Sequence, residues 1–487
     1  VGASAAPIAA SLLPFAIYVA SVCSEPARWD TAELQGVPYI LGIAHATGFP
    51  LYVIAAYLFS HLVPIGTVAF RTGVFSAMCV AGAALASYLA AREFGANRVC
   101  AVIASWWFGV TAAVWQRASR AEVHDLALVL SAFAVLFAIR WTKRGNERDL
   151  LGAVACFSLA IATHPVAVWL LPGLIVATVL APRRPQPATV AYAVLIFLTG
   201  LALYAYLPLR SEYVVSHGLD PSAHLSGVHG GIFWNFNDPR TFDGFVAEVT
   251  GSRFGAGSTL LSALAPGNVQ DALAAWLFLA IVQYGVFGFL LALIGLVGMW
   301  TRDWRAVLIL MLMGLAAIPF AQAWTPAEGD PDRYRLLSLW ILAPMIACAA
   351  GFGESRNARM WSAAIVWITL LLTIQTFANN RYLFNNRVDL SGRDLIEHVD
   401  GIVPRHSIVL APWIDATTLA YGAYIDDSLG DRTVVPSSPE EFASDFAQWP
   451  RDRRIFMIAG PGTSVPGLRL RKVAGLDISR AIYEVVR

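Results

Sequence analysis

Eleven long apolar runs restrict what this chain can fold into more than any other feature. They lie near residues 7–23, 69–91, 99–116, 122–141, 149–163, 165–181, 188–208, 272–300, 306–323, 335–352 and 359–378. About 20 apolar residues in helical form cross the hydrocarbon core of a bilayer, and in lipid every backbone N–H and C=O must be satisfied internally, which helices do. Hydrophobic residues make up 57% of the 487 and charged ones 14%, too apolar a balance for a soluble chain of this size. The expected fold class is an α-helical polytopic membrane protein with about 11 transmembrane helices.

Charge in the loops fixes the count and the orientation together. With the N-terminus inside, the internal loops are 92–98, 143–148, 183–184, 302–305 and 356–359, and each is basic, as the positive-inside rule requires. Residues 48–63 form a shorter apolar stretch opening and closing on proline, and read as an interfacial helix on the external side. Counting them as a twelfth span would put every basic loop outside. The chain begins at Val1, and its first apolar run lacks a cleavage-site context, so it is expected to stay as an anchor.

Several function classes fall away. The formal charge of +1 conceals no basic block interleaved with aromatics, so nucleic acid is not an expected partner. Cys23, Cys79, Cys100, Cys156 and Cys348 lie in or beside apolar runs without metal-ligand spacing.

On this topology the chemistry-bearing residues share the external face. Asp30 and Glu33 stand three apart after the first span, so on a helix their carboxylates share a side, and His45 follows on the same connection. The alternative for the two acids is a helix cap with Glu33 at the third position. The loop between the third and fourth spans carries Arg117, Arg120, Glu122, His124 and Asp125, and a tight turn holds His164. Ionisable groups at membrane depth default to function, although acids at a helix start also suit the macrodipole, and a turn histidine can be structural. Arg210, at the external end of the seventh span, either grips a phosphate at headgroup depth or snorkels. The loop after the ninth span adds Glu328, Asp330, Asp332, Arg333 and Arg335. Its Asp330-x-Asp332 pair reads either as a divalent metal site or as solvated turn acids.

The stretches D-T-A-E-L from Asp30, L-G-I-A-H-A-T-G-F-P-L-Y through His45, and F-R-T-G-V-F-S-A from Phe70 resemble the opening signature of the family catalogued as domain of unknown function 2723. That family includes transmembrane protein O-mannosyltransferases and belongs to the GT-C glycosyltransferase superfamily. It usually has His-Pro-Pro-Gly where this chain has His45, Ala46, Thr47 and Gly48. A second resemblance covers L-P-L-R at 207–210 and the stretch from Phe233 to Gly251, where Asn235 to Asn237 interrupt the usual Trp-Gly-Asp-Pro form. The resemblance implies an acidic motif in the first external loop and a sugar donor on a polyprenyl phosphate.

Beyond Phe377 charges rise and short β-like runs alternate with helical ones. Strands are expected at 407–412, 432–436 and 454–460, with helices at 394–399, 416–425 and 439–448, giving a small α/β unit with a largely parallel sheet. Gly460-Pro461-Gly462 lacks the Lys-Ser/Thr of a phosphate loop and reads as a turn. The expected domains are a GT-C-like membrane domain, 1–378, with external loops 24–68 and 209–271, and an extracytoplasmic α/β domain, 379–487.

The reading that follows is an inverting membrane glycosyltransferase. It moves a hexose, by resemblance mannose, from a polyprenyl-phosphate donor to a protein, glycan or lipid acceptor outside a bacterial inner or plasma membrane. Asp30 serves as base and Glu33 as its partner or acceptor guide. Substrate contacts are expected from His45, Glu122, His124, Asp125, His164, Arg210, Asp332, Arg333 and Arg335. A sugar or lipid transporter would show internal repeats, and none is seen. A non-catalytic assembly subunit would leave Asp30 dispensable.

Overall fold

The computed structural model describes residues 5–228, 230–324, 330–351, 356–437 and 445–486. The chain divides into two compact units. The first is built from residues 1–22, 76–203 and 255–385, the second from 23–75, 204–254 and 386–487.

The first unit is helical. Helix occupies every one of the eleven apolar runs, but the runs are partitioned unevenly. Among the described residues five helices are long and apolar enough to cross a membrane, or six if the pair Arg98–Val110 and Ala112–Ala118, bent by 71°, is one span. The stretch Pro266–Trp324, with non-helical backbone at Gly285 and Asp303, covers two runs, while Ala5–Ser21 and Pro165–Leu180 are shorter apolar helices. The core is dense in alanine and large aromatics, with Trp107, Trp115, Trp141 and Trp340 fully buried. Small residues let helix backbones approach, and each buried indole N–H then needs an acceptor on a neighbour. Trp340 Nε1 donates to the Ala83 carbonyl at 2.8 Å and Trp115 Nε1 to Ser21 Oγ at 2.8 Å. The outside is apolar too: Val179, Leu195, Phe278 and Leu371 are all more than half exposed. A helical surface of that kind suits lipid, and the protein is an integral membrane protein.

The second unit gathers three sequence stretches around a five-stranded sheet in the order β2-β1-β3-β5-β4. Strands β1 (Ile408–Ala411), β2 (Thr433–Pro436) and β3 (Ile455–Ala459) fall where expected and pair in parallel. Central β1 is apolar at all four positions because both faces are covered. Two strands were not expected, β4 (Arg469–Gly475) and β5 (Ala481–Val486), which join antiparallel at one side. β4 escapes a hydrophobic reading because it is an edge strand whose side chains are largely exposed and charged. Helices Ser391–Ile402 and Trp413–Tyr424 match expectation, while most of the helix expected at 439–448 lies outside the described residues. The stretch expected to be interfacial is helix Pro50–Leu62.

Candidate active site

In the second unit the short helix Trp29–Gly36 carries both leading acids. Capping is not their role. The N-cap residue is Arg28, with no side-chain cap hydrogen bond, and the acids point to other partners. Glu33 is fully buried, and its Oε1 accepts the backbone N–H of His45 at 2.8 Å while Oε2 pairs with His45 Nδ1. Half-buried Asp30 accepts a hydrogen bond on Oδ1 from Trp413 Nε1 at 2.8 Å. The Trp413 ring also meets the His45 ring edge-on, 5.6 Å between centroids, so one indole touches both halves of the cluster.

Long-range contacts hold this helix in place. Arg28 pairs with buried Asp415, which also takes Arg480, and Thr418 Oγ1 donates to the Ala27 carbonyl at 2.8 Å. Tyr52 of helix Pro50–Leu62 donates to the Leu34 carbonyl at 3.1 Å. These bonds dock helix Trp413–Tyr424 on helix Trp29–Gly36, which is how Trp413 reaches Asp30. Burial pushes the Asp415 carboxyl up, against the opposing pull of Arg28 and Arg480.

A third carboxyl belongs to the cluster and was not singled out in the sequence. Glu248, on helix Phe242–Thr250, is fully buried. Its Oε2 accepts from Asn237 Nδ2 at 2.8 Å, and its Oε1 has no hydrogen-bond partner among the described residues. Burial pushes its pKa well above the ordinary value; the Asn237 bond and His45 pull it down, and Glu33 pushes it up. Gly48 explains the close approach: a Cβ there would lie 2.7 Å from Leu207 Cδ2 and 3.0 Å from Glu248 Oε1, at a φ of 73°. The only sequence signal for Glu248 is a lone acid on an otherwise apolar helix face, in F-D-G-F-V-A-E-V-T.

The asparagines that interrupt the motif are structural partners. Asn235 Oδ1 accepts from Ser211 Oγ at 2.6 Å, its Nδ2 donates to Asp238 Oδ1 at 3.2 Å, and Asn237 Oδ1 accepts from Arg253 Nη1 at 2.6 Å. Among the described residues, five of the eight non-glycine ones with left-handed backbone, Trp29, Phe49, Phe233, Asn237 and Asp238, flank this cluster. Strain of that kind persists where surrounding bonds over-determine the chain, and it gathers at functional sites.

Arg210 is placed differently from either expectation. Its Nε donates to the Leu41 carbonyl at 2.6 Å and its Nη2 to Ile40 at 3.0 Å, and Tyr206 donates to Leu41 and Gly42. It fastens the turn that leads from Glu33 to His45.

The remaining predicted residues lie in the first unit, where they form a cluster of their own. Glu122 caps helix Val123–Arg144, accepting from His124 N at 3.2 Å and pairing with His124 Nδ1 at 2.8 Å. The His124 ring lies 4.5 Å from His164 and 4.7 Å from Tyr334. Arg117 and Arg120 both bind Asp330, and Arg335 binds Asp332 and Gln322. Asp330 and Asp332 are thus engaged by arginines. No group of three metal-type ligands occurs among the described residues, and Glu328 lies outside them. Asp125 is fully buried, with neither carboxylate oxygen hydrogen-bonded among the described residues. His124, Arg333 and Tyr334 edge a small cleft of about 40 Å³ whose other walls include Leu128, Val166 and Met313.

Residues 30–189 match the family model described as the protein O-mannosyl-transferase TMEM260 N-terminal domain. The mouse protein O-mannosyl-transferase TMEM260 is 24% identical over 233 residues, 46% of this chain and 31% of that protein. Its Dictyostelium discoideum counterpart is 23% identical over 289 residues, 55% of this chain and 33% of that one. The chain therefore spans about a third of the length of these relatives. The crystal structure of ArnT from Cupriavidus metallidurans bound to undecaprenyl phosphate aligns over 99% of this chain and 98% of that one, with a TM-score of 0.54 and 12% identity. The chain accordingly has the fold of ArnT, and over residues 30–189 it is similar to the protein O-mannosyl-transferase TMEM260 family.

Proposed function

We propose that this protein is a polyprenyl-phosphate-sugar-dependent glycosyltransferase that transfers a hexose, mannose by its relatives, to an extracytoplasmic hydroxyl of a protein, glycan or lipid. The observation that carries the reading is the division of labour between Asp30 and Glu33. Both Glu33 oxygens are engaged by His45 and the side chain is fully buried, so it cannot take an acceptor's proton. Asp30 is half-buried on the same helix and oriented by Trp413. Asp30 is therefore the base, and Glu33 and His45 are positioning residues. The acceptor O–H gives its proton to Asp30 as its oxygen bonds to the anomeric carbon. The bond from that carbon to phosphate breaks, and inverted product and polyprenyl phosphate leave.

The departing phosphate needs charge neutralisation more than it needs an acid. In the first unit Arg333 lines a cleft with His124 and Tyr334, and Arg335 pairs with Asp332 and Gln322. The membrane domain of 1–378 would carry the donor site, and the domain of 379–487 supplies Trp413. The membrane is a bacterial inner or plasma membrane, with Asp30 on the external face.

The test is transfer from radiolabelled polyprenyl-phosphate mannose to host membrane extract by purified wild type and Asp30→Asn. The expected result is transfer by the wild type and a loss of about 10²-fold or more in a folded variant. Equal transfer by both would remove Asp30 as base, and transfer from no member of a panel of lipid-linked sugars would overturn the enzyme reading.

A further inference from the structure

Within the first unit, away from the residues assigned above, lies a groove of about 430 Å³ with no charged residue in its lining. Four amides face it, Gln283, Gln375, Asn379 and Asn380. Polar side chains of this density are unexpected among membrane-crossing helices, and each needs a reason.

Two of the four repair a broken backbone. The helix Arg98–Val110 ends at Thr111, and the chain turns by 71° into Ala112–Ala118. Gln283 Oε1 accepts the freed Ala113 N–H at 3.0 Å, and Asn380 Nδ2 donates to the freed Val110 carbonyl at 2.9 Å. A second break opens on the same groove at Gly285, with φ 68° and ψ 167°, where an added Cβ would meet nothing within 4 Å. Irregular backbone at membrane depth is tolerated where it is buried in protein or lines a polar cavity.

The other two amides repair nothing. Gln375 and Asn379 are exposed, one helical turn apart on Arg356–Asn380, and neither makes a hydrogen bond among the described residues. Their exposed neighbours on that helix, Leu371 and Ile374, are apolar. An amide on such a surface must be met by a polar group from outside the protein.

We infer that this groove binds the uncharged, hydroxyl-rich headgroup of a membrane glycolipid, its hydroxyls on Gln375 and Asn379. Amides and hydroxyls both donate and accept, so the two match without countercharge. An anionic headgroup would find no cation in the lining. The ring of Tyr382, 57% exposed, offers a flat apolar face to a sugar ring. Val286 and Phe287, 58% and 69% exposed at the lip, supply contact for the acyl chains. The inference does not rest on the catalytic assignment of Asp30.

The test uses the full chain in phosphatidylcholine nanodiscs with a photoactivatable glucosyl diacylglycerol and mapping of the cross-links by mass spectrometry. Cross-links are expected on 282–287 and 372–382, displaced by unlabelled glucosyl diacylglycerol and poorly by diacylglycerol or phosphatidylglycerol. The double substitution Gln375→Leu with Asn379→Leu should lower labelling about tenfold, two neutral hydrogen bonds being lost. Both side chains are exposed, and an unchanged melting temperature confirms folding; the single Gln375→Met variant is read the same way. Equal labelling of the variants, or equal displacement by diacylglycerol or phosphatidylglycerol, would overturn the site. Equal displacement by free maltose would reassign it to soluble sugar and overturn the lipid as its ligand.

Discussion

The indole N–H of Trp413 donates to Oδ1 of Asp30 at 2.8 Å, joining residues 383 apart in the chain. Trp413→Phe keeps a ring beside His45 and removes only the donor. A hydrogen bond to an ionised group contributes about 1.5–3 kcal/mol, so the turnover rate should fall about ten- to a hundredfold. Steady-state kinetics check this, with the acceptor KM little changed because the ring stays. An unaltered kcat would show that the indole does not orient the base.

Removing His45 should be worse for stability than neutralising its partner. In His45→Ala the fully buried Glu33 carboxylate keeps only the backbone N–H, and breaking a buried pair costs about 3–5 kcal/mol. Glu33→Gln retains the shape and an acceptor for that N–H. Melting temperatures in detergent micelles should rank wild type, then Glu33→Gln, then His45→Ala.

Glu248 should give the protein a pH dependence that Gln abolishes. Its pKa is raised above the ordinary 4.5 on folding, chiefly by burial, so the folded state holds the proton more tightly. The stabilisation is fully present below the unfolded value and is lost as pH rises through the folded one. The melting temperature of the wild type should therefore decline with rising pH above about 4.5 more than that of Glu248→Gln. Parallel curves would mean that Glu248 is ionised in the folded protein.

In the first unit, Arg117 is 2% exposed and Asp330 is its anionic partner. Asp330→Ala leaves the buried guanidinium without that charge, at a cost of about 1–3 kcal/mol. Thermal unfolding of the variant should register the loss, and Asp330→Asn, which keeps an acceptor, should recover part of it.

The apolar runs, the three parallel strands and the shared helix of Asp30 and Glu33 were legible in the sequence, because each depends on residues within one or two turns or a single strand. Hydropathy of 20 neighbours decides whether a segment suits lipid, and a fully apolar β1 follows from having both faces covered. The roles of particular side chains depended on residues far away. Nothing local marks Trp413 as the partner of Asp30, Glu248 as the third carboxyl beside His45, or Arg210 as the clamp on the carbonyls of Ile40 and Leu41. The sequence by itself determined a helical membrane protein with an acidic motif after its first span. Only the tertiary structure decided which of those acids stays accessible and which is locked, because a carboxylate's role follows from the donors and the burial that distant segments bring to it.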